Sequence, residues 1–314
     1  MKNLTFYLSL ISFIVLVFAY PVFIKYLKKK QLGQYIRQEG PDLHNYKQGT
    51  PTMGGILFIS AIFLLSILTY FINQEKVFLV VGISSILFGL VGFIDDYSSI
   101  RKKDSTGLTA LQKLLFQFIV SFFVVLIILR LNPHSSLKLP FVDFELNFGF
   151  FYPIWGIIYL SGMSNATNLT DGIDGLSGGI YISSVLFTAI VAGIEIQNLG
   201  VLILPVIAYL LFNIKPAKIF MGDTGSLALG GILGALAIYY SIEIFTVFTC
   251  FIFILEMFSV IIQVTSFKIR HKKVFLMSPI HHHFELKKWS EERIVLTFWT
   301  INFLTGIIAL GGVL

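Results

Sequence analysis

Residues 77–96 read VFLVVGISSILFGLVGFIDD, eighteen residues without a charge followed by two adjacent aspartates, Asp95 and Asp96. An α-helix needs roughly 17–25 predominantly apolar residues to cross a bilayer. A soluble surface helix of this length would carry a polar stripe, and this stretch has none. The spacing predicts a membrane-spanning helix over about 77–93, with both carboxylates placed where the helix meets the headgroups.

The same signal recurs at about 4–26, 51–72, 109–130, 150–164, 176–194, 199–213, 225–240, 244–267 and 293–313. The expected fold is therefore an all-α integral membrane protein, a polytopic bundle of about ten transmembrane helices. Composition agrees: of 314 residues 56% are hydrophobic, only 13% are charged, and 32 are Phe, whereas a soluble domain carries roughly 25% charged residues. Mean hydropathy is +0.83. No fixed-period repeat and no linker divides the chain, so residues 1–314 read as a single domain. The first apolar stretch exceeds the ~7–15 residues of a signal-peptide core and reads as a retained anchor. One cysteine, Cys250, lies within an apolar run, which leaves neither a disulfide framework nor a thiolate metal site. The net charge of +6 reports orientation and anionic lipid rather than nucleic acid.

Ten spans place five loops on one side, near 27–50, 94–108, 164–175, 213–225 and 268–292. Those loops carry seventeen of the 23 Lys and Arg residues and the opposite side four. Under the positive-inside rule the five loops face the cytoplasm and both termini lie on the extracytoplasmic side. Seven of the eight Asp and five of the six His share the cytoplasmic side. The rule fills loops with Lys and Arg and gives acids no reason to gather there. An active site on that face is the expectation.

Five strings sharpen it. Asp95-Asp96 suits oxygen ligation of Mg²⁺ or general-base work, because neighbouring carboxylates repel and a cation or proton transfer offsets that cost. The stretch 164–179, SNATNLTDGIDGLSGG, sets Asn168, Asp171 and Asp174 among glycines, offering donors and acceptors for a ribose or a base edge; a capped turn with Asp174 as the next helix's N-cap is the plainer alternative. In 213–226, NIKPAKIFMGDTGS, Asp223 opens a helix beside Gly and hydroxyls, a ready anion site, with Asn213 and Phe220 nearby as binding candidates. In 40–55, GPDLHNYKQGTPTMGG, Lys47 and Thr52 flank a Gly-rich turn at a helix start, a combination that favours phosphate. The last cytoplasmic loop holds His281, His282 and His283, which cannot all face one ligand from a regular helix; the zinc-protease spacing is absent, so phosphate contact or proton transfer is favoured. Glu256, inside the ninth span, reads as a structural interhelix hydrogen bond.

Together, Lys-Gln-Gly-Thr-Pro-Thr-Met-Gly-Gly at 47–55, Asp95-Asp96, Asn168 to Leu176, Pro216 to Ser226 and His281-His-His-Phe-Glu285 resemble the polyprenyl-phosphate N-acetylhexosamine-1-phosphate transferases, nearly end to end. The His-His-His-Phe-Glu run resembles the phospho-N-acetylmuramoyl-pentapeptide branch. The resemblance implies transfer of phospho-MurNAc-pentapeptide from UDP-MurNAc-pentapeptide to undecaprenyl phosphate at the inner membrane of a bacterium, releasing UMP and forming lipid I. It further implies Mg²⁺ on Asp223, Asp95 or Asp96 positioning or deprotonating the lipid phosphate, Asn168, Asp171 and Phe220 on uridine, and the histidines on phosphates or sugar. The partners are thus the two substrates and membrane lipid; a homodimer is left open. One departure is Ser99, where many relatives carry Lys; Arg101 to Lys103 offer a substitute. A transferase using UDP-N-acetylglucosamine is the near alternative. A secondary transporter is the distant one, disfavoured because transporters gather polar residues near the midplane and these acids gather at one interface.

Overall fold

The computed structural model describes residues 2–30, 49–102 and 107–313. Lys47, Arg37, Asp42, Lys103 and Asp104 fall outside the described residues. The helices are α1 (Lys2–Lys29), α2 (Gly55–Asn73), α3 (Lys76–Lys102), α4 (Ala110–Leu131), α5 (Tyr152–Thr170), α6 (Leu176–Val191), α7 (Leu199–Asn213), α8 (Gly222–Tyr239), the short α9 (Thr246–Thr249), α10 (Phe251–Arg270), the short α11 (Ile280–Leu286) and α12 (Glu291–Gly311). A small antiparallel hairpin, β1 (Ser136–Lys138) with β2 (Glu145–Asn147), joins α4 to α5.

Ten of the described helices have fifteen or more residues, one at each expected span. Seven segments are long and apolar enough to cross a membrane: α1, α2, α3, α4, α7 with the turn before it, α10 and α12. This is a multi-pass membrane protein. The other three long helices, α5, α6 and α8, fall short of that standard of length and hydropathy, so among the described residues seven of the ten expected spans meet it.

Boundaries differ from the sequence reading in three instructive places. The third helix runs on to Lys102, so Asp95 and Asp96 lie within its last turns and not at the mouth of a loop that begins at 94. The fifth runs to Thr170 and carries Asn168 on helix rather than loop. The ninth expected span, 244–267, is broken at Cys250 into α9 and α10. Asn302 of α12 repairs that break: its side-chain oxygen accepts from the Ile252 N–H at 3.2 Å, while its amide donates to Ser183 and Ser184 of α6. Where no water reaches, a freed backbone group must find such a partner.

The centre of the bundle is α8. From Thr224 to Ile238 every residue is buried, and its sequence, GDTGSLALGGILGALAIY, is dense in Gly and Ala. Small residues let helix backbones approach closely in a membrane, where lipid is as apolar as leucine and packing replaces the hydrophobic effect. Hydroxyls from the surrounding helices then reach the α8 carbonyls: Ser84 of α3 donates to Gly231 at 2.8 Å, and Ser164 and Thr167 of α5 donate to Leu227 and Ser226 at 3.1 and 2.7 Å. This packing fixes the start of α8, with Asp223, against α3 and α5.

Candidate active site

Four helix ends meet at the start of α8: the C-terminal turns of α3 and α5, the first turn of α4, and α8 itself. Consecutive residues on a helix point about 100° apart, and this separates Asp95 from Asp96.

Asp96 turns toward α8. Its Oδ1 accepts from the Asp223 N–H at 3.0 Å, and its Oδ2 accepts from the Thr224 N–H at 3.0 Å and the Thr224 hydroxyl at 2.6 Å. These are orphan donors of a helix start, so a carboxylate from another helix serves as the N-cap. The anion expected at this helix N-terminus is therefore already supplied by the protein, as Asp96. Gly222 makes the arrangement feasible. Its φ is +70°, and a Cβ there would overlap Asp96 Oδ2 and lie 2.9 Å from Thr52 Oγ1. Gly222→Ala is accordingly expected to displace Asp96, lowering the melting temperature and cutting activity at least tenfold; an alanine variant of wild-type activity and melting temperature would refute this role for the glycine. The left-handed backbone alone costs alanine ~1 kcal/mol.

Asp95 turns the other way. Its Oδ1 accepts from the Leu108 N–H at 2.8 Å, and its Oδ2 lies 3.3 Å from the ammonium of Lys113, in the first turn of α4. That ammonium also pairs with Asp223 Oδ2, and Asn168 of α5 donates to Asp223 Oδ1 at 2.8 Å and to Ser226 Oγ at 2.9 Å. Asp95, Lys113, Asp223 and Asn168 thus form one chain across four helices. Lys113 was not among the candidates read from sequence. Its signal was a lone base in the first turn of an apolar span, at the same end of the bundle as Asp95.

The other candidates divide. Thr52 is buried beside Gly222. The Gly-rich turn near it packs through backbone on the segment that leads into α8: Gly54 and Gly55 donate to the carbonyls of Phe220 and Met221, and the Phe220 N–H donates to Pro51. Phe220 itself is half-buried. Asn213 braces two loops, accepting from Gly175 N–H and donating to the Ile219 carbonyl, both at 3.0 Å. Asp174 accepts from the Ala217 N–H at 2.9 Å and does not cap α6, whose N-cap is Gly175. Asp171 ends α5 next to Asn168 and is half-buried. Lys102, considered as a substitute for the base missing at Ser99, donates to the Gly107 carbonyl at 2.6 Å.

The three histidines sit on α11 with different partners, although the rings of His281 and His282 lie 4.1 Å apart, centroid to centroid. His281 is fully buried against Glu256 of α10, with Nδ1 3.0 Å from Oε1. His282 pairs with Glu285 at 2.6 Å. His283 accepts from the Leu276 N–H at 3.1 Å, and burial together with the nearby Lys287 ammonium holds it below the usual imidazole value, hence neutral at pH 7.

Among the described residues, no group of three or more His, Cys, Asp or Glu side chains is arranged to hold a metal ion by itself. Mg²⁺ seldom requires such a cage; it is commonly held by one or two carboxylates together with substrate phosphates and water. Asp223 and Asp95 are hard oxygen donors that share a cationic partner, and this donor set fits Mg²⁺ delivered with a diphosphate.

The carboxylate, ammonium and amide cluster lies at one end of a multi-pass helical bundle, and the comparisons give the class, the integral membrane transferases. A model of Glycosyl transferase family 4 matches residues 77–241, and the phospho-N-acetylmuramoyl-pentapeptide-transferase signature 1 matches residues 47–59. A phospho-N-acetylmuramoyl-pentapeptide-transferase of Petrotoga mobilis is 73% identical over the full length of both chains. Those of Kosmotoga olearia and Thermotoga maritima are 45% and 44% identical, covering 98% and 95% of this chain and 97% and 96% of their own. The chain belongs to the phospho-N-acetylmuramoyl-pentapeptide-transferase family.

Proposed function

We propose that this protein transfers phospho-MurNAc-pentapeptide from UDP-MurNAc-pentapeptide to undecaprenyl phosphate, releasing UMP and leaving lipid I in the membrane as a step of peptidoglycan synthesis. The observation that carries the reading is the chain Asp95, Lys113, Asp223, Asn168, which sets hard anionic donors beside an amide at one end of the bundle. All ten long helices cross the bilayer, both termini lie outside, and this end faces the cytoplasm, where the seventeen basic loop residues and a water-soluble nucleotide would be found.

Asp223, with Asp95 beside it, would hold Mg²⁺. When bound there the ion neutralises the donor diphosphate and stabilises charge in phosphoryl transfer. Lys113 positions both carboxylates and supplies a second positive charge at the reacting end. Asp95 rather than Asp96 receives the lipid phosphate, since Asp96 has three hydrogen bonds committed to α8. The lipid phosphate attacks directly: a phosphate dianion is already an oxygen nucleophile near neutral pH, so no phospho-enzyme on Asp95 is needed. The same reading gives the nucleoside to Asn168, Asp171 and the half-buried Phe220, and the phosphates to Lys47 and Thr52.

Purified protein supplied with undecaprenyl phosphate and either UDP-MurNAc-pentapeptide or UDP-N-acetylglucosamine, with and without Mg²⁺, tests this. UMP release with the pentapeptide donor alone, abolished by chelation, is the expected result. Release only with UDP-N-acetylglucosamine would overturn the substrate assignment, and release undiminished by chelation the metal.

A further inference from the structure

The far end of α8 holds a second cluster of titratable groups, with no part in the mechanism above. Glu243 lies in the turn between α8 and α9 and is only 2% exposed. Its Oε1 is 2.5 Å from the hydroxyl of Tyr152, the first residue of α5. That hydroxyl is 2.8 Å from Nε2 of His134, in the segment after α4, and His134 Nδ1 is 2.7 Å from the Asn132 carbonyl. Glu243, Tyr152 and His134 thus form one chain across three parts of the fold. Neighbouring contacts join the same region: the Asn132 amide donates to the Tyr239 carbonyl at 2.7 Å, and the Lys138 N–H of β1 donates to the Ser241 carbonyl at 2.9 Å. Asp223 and Glu243 stand at opposite ends of α8, so the proposed topology puts this chain on the extracytoplasmic side.

The number of hydrogens limits the states of this chain. The Asn132 carbonyl can only accept, so Nδ1 carries a hydrogen and, in a neutral ring, Nε2 is a lone pair. Two links remain, Nε2 to Tyr152 and Tyr152 to Glu243, and each needs one hydrogen. Tyrosine supplies one. The other must be a proton added to the chain. Placed on Glu243, it lets the carboxyl donate to the Tyr152 oxygen while the Tyr152 hydroxyl donates to Nε2. Without it Glu243 is a carboxylate, Tyr152 can donate to only one neighbour, and one link opens. The surroundings favour the carboxyl. Glu243 Oε2 is buried with no hydrogen-bond partner among the described residues, and an ionised group so placed is costly. Burial accordingly pushes Glu243 up to about 7, against the Tyr152 hydroxyl, its own backbone N–H and the nearby Trp155 indole, which lower it. The other titratable or charged groups on the elements around the turn are Tyr159 of α5, Tyr239 and Tyr240 at the end of α8, Cys250 after α9 and the exposed Lys138 of β1. None of these is among the causes that move Glu243.

We propose that Glu243, Tyr152 and His134 are a one-proton latch: with the proton on Glu243 the chain ties the far end of α8 to α5 and to the segment after α4, and loss of the proton opens it. The proton leaves Glu243 by way of the Tyr152 hydroxyl to His134, which is half-buried and passes it to solvent. An ordinary glutamic acid ionises near 4.5 and Glu243 near 7, so between those values the folded chain binds more protons than the unfolded one. The latch therefore contributes its full stability below that window and loses it as pH rises through about 7. The site of phosphoryl transfer takes no part, so this inference stands or falls apart from the proposed function.

The test is the melting temperature of the full-length protein in detergent, at about pH 5 and about pH 8, for wild type, Glu243→Gln and Tyr152→Phe. A glutamine amide donates to Tyr152 as the carboxyl does but cannot ionise. Glu243→Gln is therefore expected to match wild type at about pH 5 and to melt roughly 3 °C above it at about pH 8. All other titrating groups are common to the two proteins and cancel. A margin over wild type that does not grow with pH overturns the proposal, as does a glutamine variant that melts below wild type at both pH values. Tyr152→Phe removes the middle of the chain and should melt below wild type at about pH 5; an unchanged melting temperature there counts against the latch. Infrared spectra keep the test open if the glutamine variant does not fold. The carbonyl band of a protonated buried carboxyl should fade as pH rises through about 7 and should shift in Tyr152→Phe. A protein without such a band, or with one that Tyr152→Phe leaves unmoved, refutes the proposal.

Discussion

Replacing Asp223 by Asn should lower the rate of UMP release about a thousandfold, the scale seen when one preorganised electrostatic group is removed from a reacting centre. The side chain keeps its volume, so the first turn of α8 and the hydrogen bonds from its backbone to Asp96 are retained. Two things change. The ammonium of Lys113 loses one of its two carboxylates, and Asn168 loses the anion to which it donates. The melting temperature should move little, whereas Mg²⁺ should no longer raise either the rate or the stability. Steady-state UMP release across a Mg²⁺ titration measures this. A variant retaining a tenth of the wild-type rate with an unchanged Mg²⁺ midpoint would remove Asp223 from the centre of the mechanism.

Lys113→Met should have the second-largest effect, and of a different kind. Asp95 and Asp223 would face one another with no charge between them, and like charges so placed resist joint ionisation. Breaking a fully buried pair costs about 3–5 kcal/mol; Lys113 and Asp223 keep 21% and 23% of their exposure, which brings the expected loss nearer to ~2 kcal/mol after screening. A fall in melting temperature, together with a roughly hundredfold lower kcat, is the expected pair of readings. Adding Asp95→Asn to Lys113→Met should restore part of the stability by removing one unpaired carboxylate, but not the activity. Thermal unfolding in detergent micelles distinguishes the cases. A single variant as stable as wild type, or a double variant less stable than the single, would contradict the shared-cation arrangement.

Much of the site was legible in the chain because its motifs are local. Asp223 with Thr224 and Ser226 is a helix start whichever fold surrounds it, and Asn168, Asp171 and Asp174 announce themselves as polar groups among glycines between apolar spans. The pairing of these groups was not legible. Asp95 and Asp96 look equivalent in sequence, and only the rotation of α3 relative to α8 gives one of them to a helix start 127 residues away and the other to Lys113. Lys113 itself passed as a charge at the end of a span, because orientation arguments count bases without asking what they face. Glu256 reads in the sequence as an interhelix hydrogen bond and makes one; what was not legible is its partner, 25 residues on, on a seven-residue helix that periodicity does not resolve.

The long uncharged runs determined by themselves that this chain spans a membrane many times, because the bilayer tolerates little but apolar helix in its interior; the Lys and Arg count gives the orientation proposed for it. Helix packing decided the rest. In lipid, apolar side chains do not select one another, so which faces meet is set by small residues such as those of α8 and by the few hydroxyls and amides that reach a partner. Those contacts join residues from 55 to 147 positions apart, and no local pattern in the chain encodes them.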